Sequence, residues 1–277
     1  MINQKNSNFP WAFIGITFTF TWLVLLPGVL SRYDLIQLPF PAPALVAVAQ
    51  FGPSLTAFIL TYRQEGKSGM KQLLKRSVNF RVQWRWWAIV LLTPLCLGAA
   101  ALSIHLLLSG ERPRLSTLSQ PVSLLPTFFM ILFFYGPVPE EFGWRGYLLE
   151  RLQTKWSSLV SSVVLGSIWA VWHLPSWFID GTFQSFAPFW VFLIFNIALS
   201  VLFTWVLNNT GGNLLLALVL HTMVNLANLM FVYVGENSSG NTQIFIYMVA
   251  LYTIVALLIA KDWLPQRLSK EEWAGQI

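Results

Sequence analysis

Residues 187–207 read APFWVFLIFNIALSVLFTWVL, an uninterrupted run without a single Asp, Glu, Lys or Arg. A bilayer-crossing helix needs about 20 mostly apolar residues, so this run suffices to span the hydrocarbon core. Working outward from it, comparable runs recur near 213–234 and 243–260 downstream, and near 11–30, 43–62, 86–108, 127–150 and 158–179 upstream. Together they predict an all-α, polytopic transmembrane bundle of about eight spans. The run at 127–150 differs from the others, because its second half carries Glu140, Glu141 and Arg145. No internal repeat or separate polar module interrupts the series, so residues 1–277 read as one integral-membrane domain. The amino-terminal MINQKNSNFP has one lysine and no small-residue cleavage pattern after the first apolar run, so 11–30 reads as a retained helix.

The composition agrees. Of 277 residues, 56% are hydrophobic, 16% aromatic and 10% charged, and the mean hydropathy is +0.61. An ordinary soluble domain has about 25% charged residues, which excludes that class and a disordered chain. The single cysteine, Cys96, cannot form an internal bridge, and zinc-finger spacings are absent. The net charge is +6. In a membrane protein such an excess points to cytoplasmic loops and anionic lipid; no basic, aromatic-interleaved module supports nucleic-acid binding.

Orientation follows from the basic residues. Arg63, Lys67, Lys71, Lys75, Arg76, Arg81 and Arg85 lie between the second and third spans. Placing that loop in the cytoplasm also places Lys5, Arg145, Arg151, Lys155, Lys261, Arg267 and Lys270 there, leaving Arg32, Arg112 and Arg114 outside. Both termini are then cytoplasmic and the protein is a multi-pass component of the cell membrane. The stretch Arg63 to Trp87 is read as an interfacial anchor, with Trp84, Trp86 and Trp87 in the aromatic belt.

Ionisable groups inside apolar spans are costly and mark function. In Tyr135-Gly-Pro-Val-Pro-Glu140-Glu141-Phe-Gly-Trp-Arg145-Gly146, Glu141 and Arg145 have the spacing of an intrahelical ion pair, while Glu140 is rotated away and left free to exchange a proton. Pro137 and Pro139 should unwind the helix just before the glutamates and free carbonyls beside a polar cavity. In Trp169-Ala-Val-Trp-His173-Leu-Pro175 an aromatic lies one turn from an imidazole, and the proline limits the helix beyond it. His221-Thr-Met-Val-Asn225 sets an imidazole and a carboxamide on one face, suited to stabilising an oxyanion, to binding a metal through His221, or to plain interhelical hydrogen bonding. His105 stands in the third span with no polar neighbour at helical spacing and is read as incidental. At 1.5 Å per residue, Glu140, His173 and His221 lie roughly 15, 22 and 12 Å from the inner ends of their spans, which permits a shared cavity.

These three motifs, in this order on apolar helices, resemble the CPBP family of intramembrane proteases (CAAX proteases and bacteriocin-processing enzymes, also called Abi), and the type II CAAX prenyl endopeptidases among them. The family pattern is Glu-Glu-x-x-x-Arg, then Phe-x-x-x-His, then His-x-x-x-Asn or Asp. Trp169 departs from it by standing at the Phe position, where it is expected to pack beside His173 with little loss. The resemblance covers residues 122–230, which would form the catalytic core. It implies hydrolysis of a peptide bond within the membrane, on a peptide or prenylated-peptide substrate; the archetypal reaction removes the last three residues after a prenylated cysteine. Glu140 with His173 would activate water, His221 and Asn225 would stabilise the oxyanion, and Glu141 and Arg145 would support the geometry. The resemblance also implies a zinc ion on Glu140, His173 and His221, with a metal-free glutamate-activated water as the alternative. Other readings are a non-proteolytic membrane scaffold or regulator of the same fold, and a proton-coupled transporter using Glu140 and the histidines as a relay.

Overall fold

A computed structural model describes residues 10–109, 121–232 and 241–263. Of the residues in the charge count, Lys5, Arg112, Arg114, Arg267 and Lys270 lie outside the described residues. Among the described residues, seven helical segments are long and apolar enough to cross a membrane: Trp11–Arg32, Ala44–Arg76, Trp84–Ser109, Ser158–Phe178, Phe189–Asn208, Leu214–Val232 and Thr242–Lys261. They coincide with seven of the eight runs, and no strand occurs among the described residues. The chain is an all-α, multi-pass membrane protein.

In chain order the helices are α1 (Trp11–Arg32), α2 (Ala44–Ala49), α3 (Gly52–Arg76), α4 (Trp84–Ser109), α5 (Leu124–Phe134), α6 (Pro137–Gly143), α7 (Leu149–Gln153), α8 (Ser158–Trp172), α9 (Phe189–Asn208), α10 (Leu214–Ala227) and α11 (Thr242–Trp263). Three of them begin on side-chain caps that their sequences supply: Ser157 accepts from the Val160 amide at 3.4 Å, Asn213 from the Leu216 amide at 3.1 Å and Asn241 from the Ile244 amide at 3.0 Å. In α9 and α10, 72% of the apolar window is buried, against 22% in α4, so these two form the centre and the others wrap them. A buried polar cluster ties the end of α7 and the start of α8 to α9: Asn208 Nδ2 donates to Gln153 Oε1 at 2.9 Å and to Ser158 Oγ at 3.0 Å. Such bonds bind helices where lipid offers no hydrophobic driving force.

The run at 127–150 is not one helix. Helix α5 stops at Phe134; Gly136 turns the chain with φ +112°, and Pro137 opens α6. Pro137 and Pro139 bring no N–H, so the break falls where helical donors are missing anyway. Past Gly143 the chain passes through a π turn, Trp144–Leu148, before α7. Gly143 lets α6 lie against α3, since a Cβ there would stand 2.5 Å from the backbone carbon of Pro53. These interruptions bury Glu140, Glu141 and Arg145 within the bundle.

The basic stretch after the second span is partly helical. Helix α3 is kinked at Gly66, whose φ +65° and ψ −155° are non-helical, and a second helical stretch runs on to Arg76, which pairs with Glu150 and donates to the Gly212 carbonyl at 2.8 Å. Trp84 is exposed as an interfacial residue would be. Trp86 departs from the expected belt: it is buried against Trp205, ring centroids 4.9 Å apart. His105 also departs from its reading. Ser109, one turn on, stands with Oγ 3.3 Å from the His105 Nε2, so the ring does have a polar neighbour at helical spacing.

Candidate active site

The broken segment delivers two adjacent glutamates to different partners. Glu141 Oε1 accepts from Arg145 Nη1 at 2.9 Å and from His221 Nδ1 at 2.7 Å, joining α6 to α10. Arg145 is 1% exposed and lies between two aromatic faces, its guanidinium carbon 4.2 Å from the Trp169 ring and 4.1 Å from the Phe203 ring. Its other arm donates to Ser200 Oγ at 3.4 Å. The cation is thus neutralised, covered and hydrogen-bonded together, as a buried charge must be.

Glu140 faces the other way. Its Oε2 accepts from Trp169 Nε1 at 2.7 Å and from Trp144 Nε1 at 3.3 Å. Trp169 sits one turn before the end of α8, and its backbone carbonyl accepts from His173 Nδ1 at 2.9 Å. His173 caps α8, after which Pro175 leads the chain into a 3-10 turn. The ring of Trp169 also meets that of His221 edge-on at 5.4 Å. Glu140, His173 and His221, from three separate elements, therefore converge on one tryptophan.

The hydrogen bonds decide the tautomers. The Glu141 carboxylate and the Trp169 carbonyl are acceptors, so Nδ1 carries the proton in both His221 and His173. In the neutral rings each Nε2 then presents a lone pair. In the third motif, Asn225 Nδ2 donates to the Tyr135 carbonyl at 2.9 Å. That carbonyl is one the proline break sets free, as the sequence leads one to expect. A Cβ on Gly136 would stand 3.0 Å from His221 Nε2 and 3.1 Å from Asn225 Nδ2, so the break abuts both motif residues.

The imidazoles suit a metal in one respect, since each donates its other nitrogen to a carboxylate or carbonyl. The donor set does not close. Among the described residues no three His, Cys, Asp or Glu side chains are gathered as a metal ion requires. Glu140 is turned to two indoles, and the carboxylate bonded to His221 is Glu141. Glu140, His173 and His221 do not form a zinc site in this arrangement, and no chemical step below passes through one.

Sequence reasoning passed over four of these groups. Trp144 follows Glu140 by four residues, a spacing that could have flagged it. The Trp169 indole N–H was noticed only as an aromatic surface. Ser200 and Phe203 lie in the apolar helix α9 with nothing local to mark them.

Residues 121–227, which hold all three motifs, match the family model described as "Type II CAAX prenyl endopeptidase Rce1-like". Along nearly its whole length the chain is similar to the CAAX prenyl protease 2 of Methanococcus maripaludis, at 25% identity over 282 residues, covering 95% of this chain and 97% of that protein. The segment carrying Glu140, His173 and His221 is thus similar in sequence to the type II CAAX prenyl endopeptidases.

Proposed function

We propose that this protein is an intramembrane endopeptidase of the CAAX prenyl endopeptidase type, removing a C-terminal tripeptide after a prenylated cysteine in the cell membrane. The convergence of Glu140, His173 and His221 on Trp169 carries the reading. Glu140 and the two imidazoles each contact Trp169, and a carboxylate with neutral imidazoles nearby is what proton transfer in hydrolysis uses. The similarity of residues 121–227 to type II CAAX prenyl endopeptidases supports the substrate class.

Glu140, assisted by the His173 Nε2, takes a proton from water as its oxygen attacks the scissile carbonyl. A C–O bond forms and the carbonyl becomes an oxyanion. Asn225 donates to that oxyanion after exchanging the Tyr135 carbonyl for the substrate's, and His221, having drawn a second proton onto Nε2 from solvent before the attack, donates beside it and returns that proton to solvent after collapse. Collapse breaks the C–N bond, and the proton held by Glu140 passes to the leaving amine. Glu141 and Arg145 hold α6 and His221 in register throughout.

The test is turnover of a prenylated Cys-aliphatic-aliphatic-X peptide by purified protein. Wild type is expected to release the tripeptide. Glu140→Ala should abolish release while purifying as a folded membrane protein; undiminished turnover by that variant removes Glu140 from the mechanism.

A further inference from the structure

The indole N–H of Trp169 does something that a phenyl ring cannot. It donates to Glu140 Oε2 at 2.7 Å, and Trp144 donates to the same oxygen at 3.3 Å. Neither bond engages Oε1. Trp144, Trp169 and Glu140 are all at most 2% exposed, so these bonds are sheltered from bulk solvent. A bond to an ionised carboxylate in such a site is stronger and more directional than a neutral one.

We propose that Trp169 is a positioning residue of the reaction: its indole clamps one oxygen of Glu140 and presents the other to the attacking water. The inference rests on the hydrolytic reading above. Three groups of one residue share the work. The N–H holds the carboxylate, the backbone carbonyl holds the His173 Nδ1 proton, and the ring covers Arg145 at 4.2 Å. A carboxylate on a flexible side chain otherwise rotates, and a misplaced general base loses rate without losing substrate affinity.

The exchange Trp169→Phe isolates the clamp. The backbone carbonyl survives any substitution, and a phenyl ring still offers an aromatic face toward Arg145 and His221, though a smaller one; the N–H donor disappears. Purified Trp169→Phe should turn over the prenylated peptide with kcat reduced roughly ten- to hundredfold, the cost of one hydrogen bond to a charged group. KM should stay within about twofold of wild type, because the bond orients the base and does not hold substrate. Trp144→Phe, which removes the longer bond, should lower kcat by a smaller factor. Should Trp169→Phe not yield folded protein, Trp144→Phe carries the test on the same terms.

A kcat unchanged in the folded variant, or a loss confined to KM, overturns the clamp. Glu140→Gln separates this from the underlying reading. If Glu140→Gln is inactive while Trp169→Phe is fully active, only the clamp fails. If Glu140→Gln turns over normally, the hydrolytic role of Glu140 fails and the clamp with it.

Discussion

At Arg145 one guanidinium meets a carboxylate, a hydroxyl and two aromatic faces, and each contact answers a separate cost of burial. Glu141 cancels the charge, Ser200 accepts from the second arm, and Trp169 and Phe203 exclude the space that water would fill. Removing one partner of such a pair leaves the other charge uncompensated, at about 3–5 kcal/mol. Arg145→Met keeps the side-chain length but strands Glu141, so its melting temperature in detergent should fall sharply. Arg145→Met combined with Glu141→Gln should recover part of the loss, because no bare charge then remains. An unchanged melting temperature for the single variant contradicts this account. The Glu141–Arg145 pairing was legible from the four-residue spacing alone. The bond from His221 to the same oxygen was not, since eighty residues separate the partners and only the packing of α6 on α10 joins them.

Among the elements, the break between α5 and α6 differs most from a plain reading of hydropathy. Apolar content alone predicts a continuous span over 127–150, yet the chain turns at Gly136 with φ +112° and ψ −66°. Pro137 and Pro139 announced the interruption; its direction came from Asn225, which captures the freed Tyr135 carbonyl. Gly136→Ala would combine a backbone conformation that side-chain-bearing residues avoid with a methyl 3.0 Å from His221 Nε2. Turnover of the prenylated peptide should drop by about five- to 150-fold, the equivalent of the roughly 1–3 kcal/mol that such strain costs. Gly15→Ala, at a position with nothing within 4 Å of the added carbon, should leave turnover unaltered. Equal activity of both variants argues against the tight approach at the break.

The whole molecule is arranged inside out relative to a soluble protein. Large apolar side chains face outward, as at Leu107, Leu257 and Leu258, while Glu140, Glu141, Arg145 and His221 are enclosed. That distribution suits a lipid surround, in which charge is tolerated only within the bundle. The basic, exposed half of α3 should lie on the cytoplasmic side by the positive-inside rule. Lys71→Cys in a Cys96→Ser background should react with an impermeant maleimide only when the cytoplasmic face is accessible; labelling from the outer face reverses the topology.

Hydropathy by itself determined seven spans, because a lipid-embedded helix must be mostly apolar and that demand is written locally along the chain, but it did not show the break in the run at 127–150. Helical spacing likewise paired Glu141 with Arg145 and put His221 and Asn225 on one face. Which glutamate meets which histidine, which nitrogen of each imidazole carries its proton, and the use of Trp169 as the common support were decided only by tertiary structure. The bonds of Trp169 to Glu140 and of His221 to Glu141 join α8 and α10 to α6 across the bundle, and a hydrogen bond between distant segments leaves no period in the sequence.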